Sequence, residues 1–329
     1  MKLTRRQFGG AVAAAAIVSQ VGLSKPAKAK VSLKCGSAAN DQYVGVKFTR
    51  AWLEELKKRT NGEIEGTVFA GTLGGEQAML EGMAVGTLDL YQGAYTGTRE
   101  FDIFYTANFF RNYDHAVKVV NNPAIRARLE KVLSDKYQGQ MIGVGRAGAF
   151  GLYMRANINS WADLRNKKIR AGAIEGVLEG LKAFGANPTP IPFNEVYSAL
   201  QQGVVEGQVT LSSLVIVQKY YEVCKYAVNN EFGLGLDKFV IANRVWRQIS
   251  PAHQKIMIDT FSEMEPAGYD KPVREEREEN FKKWEGFNGA GSVIKLDDAE
   301  GRRLTSPVAE RLANDVLGAG AWKSIQDTV

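Results

Sequence analysis

The chain is 329 residues long, with 42 Lys and Arg, 36 Asp and Glu, two Cys and two His. That length suits two domains of ordinary size, and the isolated His115 and His253, with no H-x-x-x-H or C-x-x-C, argue against a zinc or haem site, so no cofactor is expected. The net charge of +6 gives no reason to expect nucleic acid or an anionic membrane as partner: Lys2, Arg5, Arg6, Lys25 and Lys28 lie in the first 29 residues with no acid among them, leaving +1 for the remainder.

The N-terminus reads as a signal peptide. MKLTRRQF is basic, GGAVAAAAIVSQVGL is small and apolar, and Ala27-Lys28-Ala29 is an A-x-A cleavage pattern. The apolar run is too short to span a bilayer. Cleavage is expected after about Ala29, and the paired arginines before Phe8 point to the twin-arginine export route, with an ordinary secretion signal as the alternative. No later run of about 18 apolar residues occurs, so the processed chain is expected to be soluble and periplasmic.

Beyond the leader, VSLKCG (Val31 to Gly36) reads as a first strand. KFTRAWLEELKKRTNG reads as a helix, with Phe48, Trp52 and Leu56 on one apolar face and Gly62 as its stop. EIEGTVF alternates as a strand, AGTLGG is a loop, EQAMLEGMAVG a helix and TLDLYQG a strand. That alternation predicts a parallel sheet covered by helices. Asp102 to Tyr137 reads as mostly helical and GQMIGVG as a strand. Ser160 and Asp163 in SWAD resemble a capping box. KKIRAG predicts a strand ending at Arg170, and EGVLEGLKAFG a helix. PIPF opens a strand, Asn194 can cap the helix EVYSALQQG, and VVEGQVT is a further strand. KYYEVCKY reads as a helix and KFVIAN as a strand. Pro251 to Phe287 is helical and charged. No linker or short repeat separates the halves, so the chain is expected to cross between two lobes more than once.

Several patterns are decoys. GVGRAG (Gly143 to Gly148) matches G-x-G-x-x-G, but strand-like AFGLYMRAN follows where a dinucleotide site needs a helix. It reads instead as a glycine-rich crossing strand. AGTLGGEQ lacks G-K-[ST] and reads as a turn before a helix whose N-terminus could face a cleft. No G-x-S-x-G occurs. REEREEN (Arg274 to Asn280) reads as a solvated helix face with i,i+4 ion pairs. Cys35 and Cys224 read as free thiols, although an exported protein could pair them. Arg170 is the more informative residue. It stands at the carboxyl end of a strand, where open α/β sheets bind ligands, and its planar fork suits a carboxylate. On mechanics alone, a surface arginine is the competing reading.

SWADLRNKKIRAG, FGANPTPIPFNEVYSALQQGVVEGQ and QKYYEVCKY, in that order, resemble the extracytoplasmic solute-binding proteins of tripartite ATP-independent periplasmic (TRAP) transporters, of the C4-dicarboxylate-binding type. GGEQAMLEGMAVGTLDL resembles the same family's N-terminal lobe. The resemblance implies a type II periplasmic-binding-protein-like α/β fold, with two lobes around a central cleft and a long helix spanning both. The lobes are expected at 30–147 plus about 236–275, and 148–235 plus about 276–329. It implies a non-enzymatic receptor that captures a small organic acid by hinge closure and delivers it to the small and large TRAP membrane subunits. In the family an arginine in the K-I-R position pairs with the ligand carboxylate, which maps to Arg170. Thr210 stands where relatives often carry asparagine. A second ligand-facing arginine of many sialic-acid-type members falls near Ala149–Phe150, with Arg146 close by. This departure implies a more apolar pocket, which Tyr91, Gln92, Tyr95, Phe150 and Phe193 could line, suited to an aromatic or short-chain monocarboxylate. The rival readings are a receptor for an ATP-driven importer, a sensor component, and a twin-arginine-exported cofactor enzyme.

Overall fold

The computed structural model describes residues 30–94, 96–191 and 195–328. The leader, Tyr95, Phe193 and the cap expected at Asn194 lie outside the described residues. The chain opens with β1 (Val31–Ser37), α1 (Val44–Arg59), β2 (Ile64–Ala70), α2 (Glu76–Val85) and β3 (Leu90–Ala94), as their patterning predicts. Phe48, Trp52 and Leu56 of α1 are 2% exposed or less. Each contributes roughly 1.5–3 kcal/mol of burial. The basic residues Lys57, Lys58 and Arg59 close the helix, where its dipole favours cations.

The stretch expected to be mostly helical, Asp102 to Tyr137, begins at the last residue of α3 (Arg99–Asp102) and holds a 3₁₀ turn at Ile103–Tyr105, then α4 (Tyr113–Val120) and α5 (Pro123–Tyr137). β4 (Gly139–Met154) then runs for 16 residues, past the end expected for GQMIGVG. β5 (Lys168–Ala171), α6 (Glu175–Ala183), β6 (Asn187–Pro190), α7 (Val196–Gln201) and β7 (Gly207–Leu211) form the second wrap. The Asp163 carboxylate accepts the backbone N–H groups of Asn159 at 2.7 Å and Ser160 at 3.0 Å, which is the expected capping box, on a single 3₁₀ turn.

KYYEVCKY is not a helix. Tyr220–Glu222 form one 3₁₀ turn, and after Val223, Cys224 and Lys225 the strand β8 (Tyr226–Ala242) begins. Pairing of Tyr226, Ala227 and Val228 with Met154, Tyr153 and Leu152 of β4 outweighs local helix propensity. KFVIAN is therefore only the end of a 17-residue strand. The remaining elements are α8 (Asn243–Trp246), α9 (Pro251–Glu265), α10 (Lys271–Asn288), β9 (Val293–Ile294), α11 (Asp298–Leu317) and α12 (Ala321–Asp327). A π-helical segment, Pro266–Asp270, joins α9 to α10 without a break in the rod.

One sheet organises these parts, in the order β2-β1-β3-β8-β4-β7-β5-β6, with β9 on β8. β1, β2 and β3 pair in parallel, as do β5, β6 and β7. The antiparallel strands β4 and β8 run through the middle and link these two parallel sets. The glycines of GVGRAG belong to β4 and serve packing. A Cβ on Gly143 would lie 2.3 Å from the Phe261 ring, and one on Gly145 would lie 2.2 Å from the Tyr269 ring. Bare backbone lets α9 and the π segment lie directly on the strand.

Candidate functional site

A cavity of about 430 Å³ opens between the two parallel strand sets. One wall carries Ser37 at the end of β1, Tyr43, Gly75 and Glu76 at the start of α2, Ala94 at the end of β3, and Asp237 from β8. The other carries Phe150 from β4, Arg170 and Gly172 at the end of β5, Ile174, Thr210 and Leu211 at the end of β7, and Leu214. The carboxyl ends of parallel strands thus converge on the cavity, the position at which open α/β sheets take ligands. A larger, shallow hollow of about 530 Å³ near Asn122 and Ser324 presents only the well-exposed charges of Lys323 and Asp327.

Arg170 is 5% exposed. Its Nε and Nη2 both donate to the Ile191 carbonyl, at 3.0 and 2.9 Å. The side edge of the guanidinium is therefore occupied, while the Nη1–Nη2 edge keeps protons for a second bidentate partner. Among the described residues, no carboxylate lies within ion-pairing distance of Arg170, whereas Arg50, Arg59, Arg99, Arg126 and Arg244 each have one. Burial pushes its pKa down, against the opposing field of Tyr220. A guanidinium nevertheless stays charged in a protein. Ile191 is delivered by β6, which pairs with β5 so that Thr189 faces Arg170. β6 is the outermost strand of the sheet, where prolines such as Pro188 and Pro190 remove no needed ladder bond. Next to Arg170 in the β5–β7 register is Gln208, fully buried, with neither amide atom partnered among the described residues.

The opposite wall is acidic. Asp237 is 2% exposed, and its Oδ2 accepts the hydroxyls of Tyr43 at 3.0 Å and Tyr269, and the Gln92 amide. Burial raises its pKa to about 6, against the hydrogen bonds from Tyr269 and Tyr43 and the nearby Lys238. Glu76 accepts the Ala94 N–H at 3.1 Å and the Thr96 hydroxyl at 3.3 Å. Lys238 is fully buried behind this wall, donating to the carbonyls of Ala94 and Thr96 at 2.6 and 2.5 Å, and burial lowers its pKa to about 8.

The structure sorts the residues expected at the site. Arg170, Thr210 and Phe150 line the cavity together, and Phe150 is held edge-on by Tyr105 at 5.2 Å. Gln92 sits behind the wall on Asp237, and Tyr91 is wholly buried under Lys238, 5.2 Å from its Nζ. Both stand short of the end of β3, whose last residues, Gly93 and Ala94, form the cavity surface instead. Arg146 is not a cavity residue. It forms a buried ion pair with Asp270 and covers the Tyr113 ring at 4.0 Å. Those partners come from the π segment and α4, elements whose position the sequence did not reveal. Phe193 and Tyr95 lie outside the described residues. Asp237, Glu76 and Tyr43 were missed. The signal for Asp237 was an adjacent acid and base, Asp237-Lys238, inside the otherwise apolar run from Phe232 to Ala242. Among the described residues, no group of three or more His, Cys, Asp or Glu is arranged to hold a metal. Cys35 and Cys224 are separate, buried, free thiols.

A family model for bacterial extracellular solute-binding proteins, family 7 (DctP), matches residues 35–313. The chain belongs to this family. Among its curated relatives is the 2,3-diketo-L-gulonate-binding periplasmic protein YiaO of Escherichia coli K12, 27% identical over 94% of this chain and 96% of that one. The C4-dicarboxylate-binding periplasmic protein DctP of Rhodobacter capsulatus is 26% identical over 96% and 98%. The crystal structure of a TRAP periplasmic solute-binding protein from Polaromonas sp. JS666, bound to D-erythronate, superposes with a TM-score of 0.78 at 24% identity, covering 91% of this chain and 99% of that one. The family's type II binding-protein fold, with its central sheet, is the architecture described above. These family relatives are solute-binding proteins rather than enzymes. No helix among the described residues is long and apolar enough to cross a membrane.

Proposed function

We propose that this protein is the extracytoplasmic receptor of a TRAP transporter, which captures a small organic acid and hands it to the small and large membrane subunits. The observation that carries the reading is Arg170: a buried cation on a cavity wall, oriented by a main-chain carbonyl and without a carboxylate of its own among the described residues. A buried charge is stable only when paired or well hydrogen-bonded, so a ligand carboxylate completes what the fold leaves open. The Nη1–Nη2 edge would receive it, with the Thr210 hydroxyl beside it.

Capture proceeds by hinge closure. One lobe, 30–147 with about 236–275, swings against the other, 148–235 with about 276–329. The crossing strands β4 and β8 and the α9–α10 rod form the connection. The closed state is selected because only there do both walls touch the ligand. No bond is made or broken, and no nucleophile is required. Export follows the leader described above, by the twin-arginine route, with cleavage after about Ala29 and release into the periplasm.

A thermal-shift screen of the purified, processed protein against organic acids tests the reading, together with mass spectrometry of whatever co-purifies. Binding to the folded state raises the melting temperature by mass action. Acids should raise it and their amides should not. A screen in which neutral sugars or cations, and no acid, stabilise the protein would overturn the proposal.

A further inference from the structure

The cavity is asymmetric in charge, and that asymmetry constrains the ligand beyond its carboxylate. Three charged residues line it among the described residues: Arg170 on one wall, and Glu76 and Asp237 on the other. Lys238 points its Nζ away, into the carbonyls of Ala94 and Thr96. There is thus one cation for one carboxylate, and the surface facing it is acidic. All three donors to Asp237 that the described residues supply converge on Oδ2, so Oδ1 keeps its lone pairs. Glu76 uses one bond on each oxygen, and an ionised carboxylate can accept about four. Both acids therefore hold spare acceptor capacity at the cavity, and neither offers a donor when ionised.

Given the receptor reading above, on which this rests, we infer that the ligand is a monocarboxylate whose far end carries hydrogen-bond donors, hydroxyl or ammonium, and that Asp237 and Glu76 select against dicarboxylates. Once the lobes close, a second carboxylate would face two acids in a site shielded from bulk water, where like charges repel more strongly than in bulk solvent. A hydroxyl donates to the same oxygens at no charge cost, and an ammonium adds attraction. The remaining lining, chiefly Ala38, Ala39, Ile174, Val209 and Leu214, is apolar and fits the carbon chain between the two ends.

The test is calorimetric titration of matched acids that differ only at the far end. The sets are succinate, 4-hydroxybutyrate and 4-aminobutyrate; adipate, 6-hydroxyhexanoate and 6-aminohexanoate; and gluconate against glucarate. In the wild type the donor-bearing monocarboxylate should bind about tenfold or more tightly than its dicarboxylate twin, a difference of about 1.4 kcal/mol or more. Asp237→Asn and Glu76→Gln should each shrink the gap, and the wild-type ratio stands even where a variant folds poorly. The hydroxyl and ammonium arms show which donor the wall prefers, and either preference supports the inference. A dicarboxylate that binds as well as its twin overturns it. Repeating the titrations with Arg170→Ala separates the two readings. Dicarboxylate preference that depends on Arg170 leaves the receptor standing and removes this inference, whereas binding indifferent to Arg170, or silence from every acid, removes both.

Discussion

Replacing Arg170 by alanine removes one buried cation and little else. The guanidinium makes two hydrogen bonds to Ile191, and the fold itself does not pair it with a carboxylate among the described residues. The unliganded protein should therefore lose little stability, because the lost hydrogen bonds are offset by relief of a desolvated charge. Ligand binding is different. Truncating one partner of a buried, hydrogen-bonded charge pair costs about 2–5 kcal/mol, or roughly 30- to several-thousand-fold in affinity. Arg170→Lys keeps the charge but loses the planar fork and the clamp on Ile191, so it should recover only part of the loss. Calorimetric titration of wild type and both variants with the co-purified acid measures this directly, and circular dichroism checks that the fold is intact. The reasoning is refuted if Arg170→Ala binds the acid within threefold of wild type, or if Arg170→Lys binds as tightly as wild type.

Further outcomes follow from the same structure. Asp237 has a folded pKa of about 6, above the unfolded value of about 3.9. The unfolded state therefore sheds its proton first, and stability falls as pH rises through that window. Asp237→Asn should raise the melting temperature at pH 8, and the gain should disappear as the pH is lowered toward 4; a gain that persists at pH 4 would contradict the assignment. Donor-bearing ligands favour the ionised carboxylate among Tyr43, Tyr269, Gln92, Lys238 and Glu76, so binding near pH 6 should release a proton, seen as a buffer-dependent enthalpy. Gly145→Ala forces a Cβ into the Tyr269 ring and should cost about 1–3 kcal/mol in denaturant titration, the usual price of overpacking. Leu200→Ala, at a fully buried anchor of α7, should cost about 2–5 kcal/mol; an unchanged denaturation midpoint would show that α7 is not anchored there.

Most of the first strand–helix wrap was readable because Phe48, Trp52 and Leu56 keep a clean helical period and β2 alternates. The long strands β4 and β8 were only half readable. Asn229 and Asn230 interrupt the apolar pattern of β8, yet Asn230 is buried and bonds the Leu296 backbone and the Asp298 carboxylate. Those partners lie more than 60 residues away, beyond any local window. The same distance in sequence hid the acidic wall, since Tyr43, Gln92, Asp237 and Tyr269 come from four separate elements. Arg170 drew notice from its position at a strand's end, but position alone left a surface arginine as the competing reading, and the K-I-R resemblance singled it out. Arg146 misled because its direction depends on Asp270, in a π segment that no sequence period marks.

The block from Gly185 to Gln208 illustrates the division of labour. Pro188 and Pro190 suit an edge strand, the carbonyl of Ile191 holds the guanidinium, and the block's last residue lies beside Arg170 in the sheet. It contains positioning groups and no reactive ones. The most direct measurement of the central claim is a crystal structure of the protein with its co-purified ligand. It should show a carboxylate bidentate on Nη1 and Nη2 of Arg170, within hydrogen-bonding distance, in the cavity between the two strand sets. A ligand seated elsewhere, or one that meets Arg170 without a carboxylate, would contradict it.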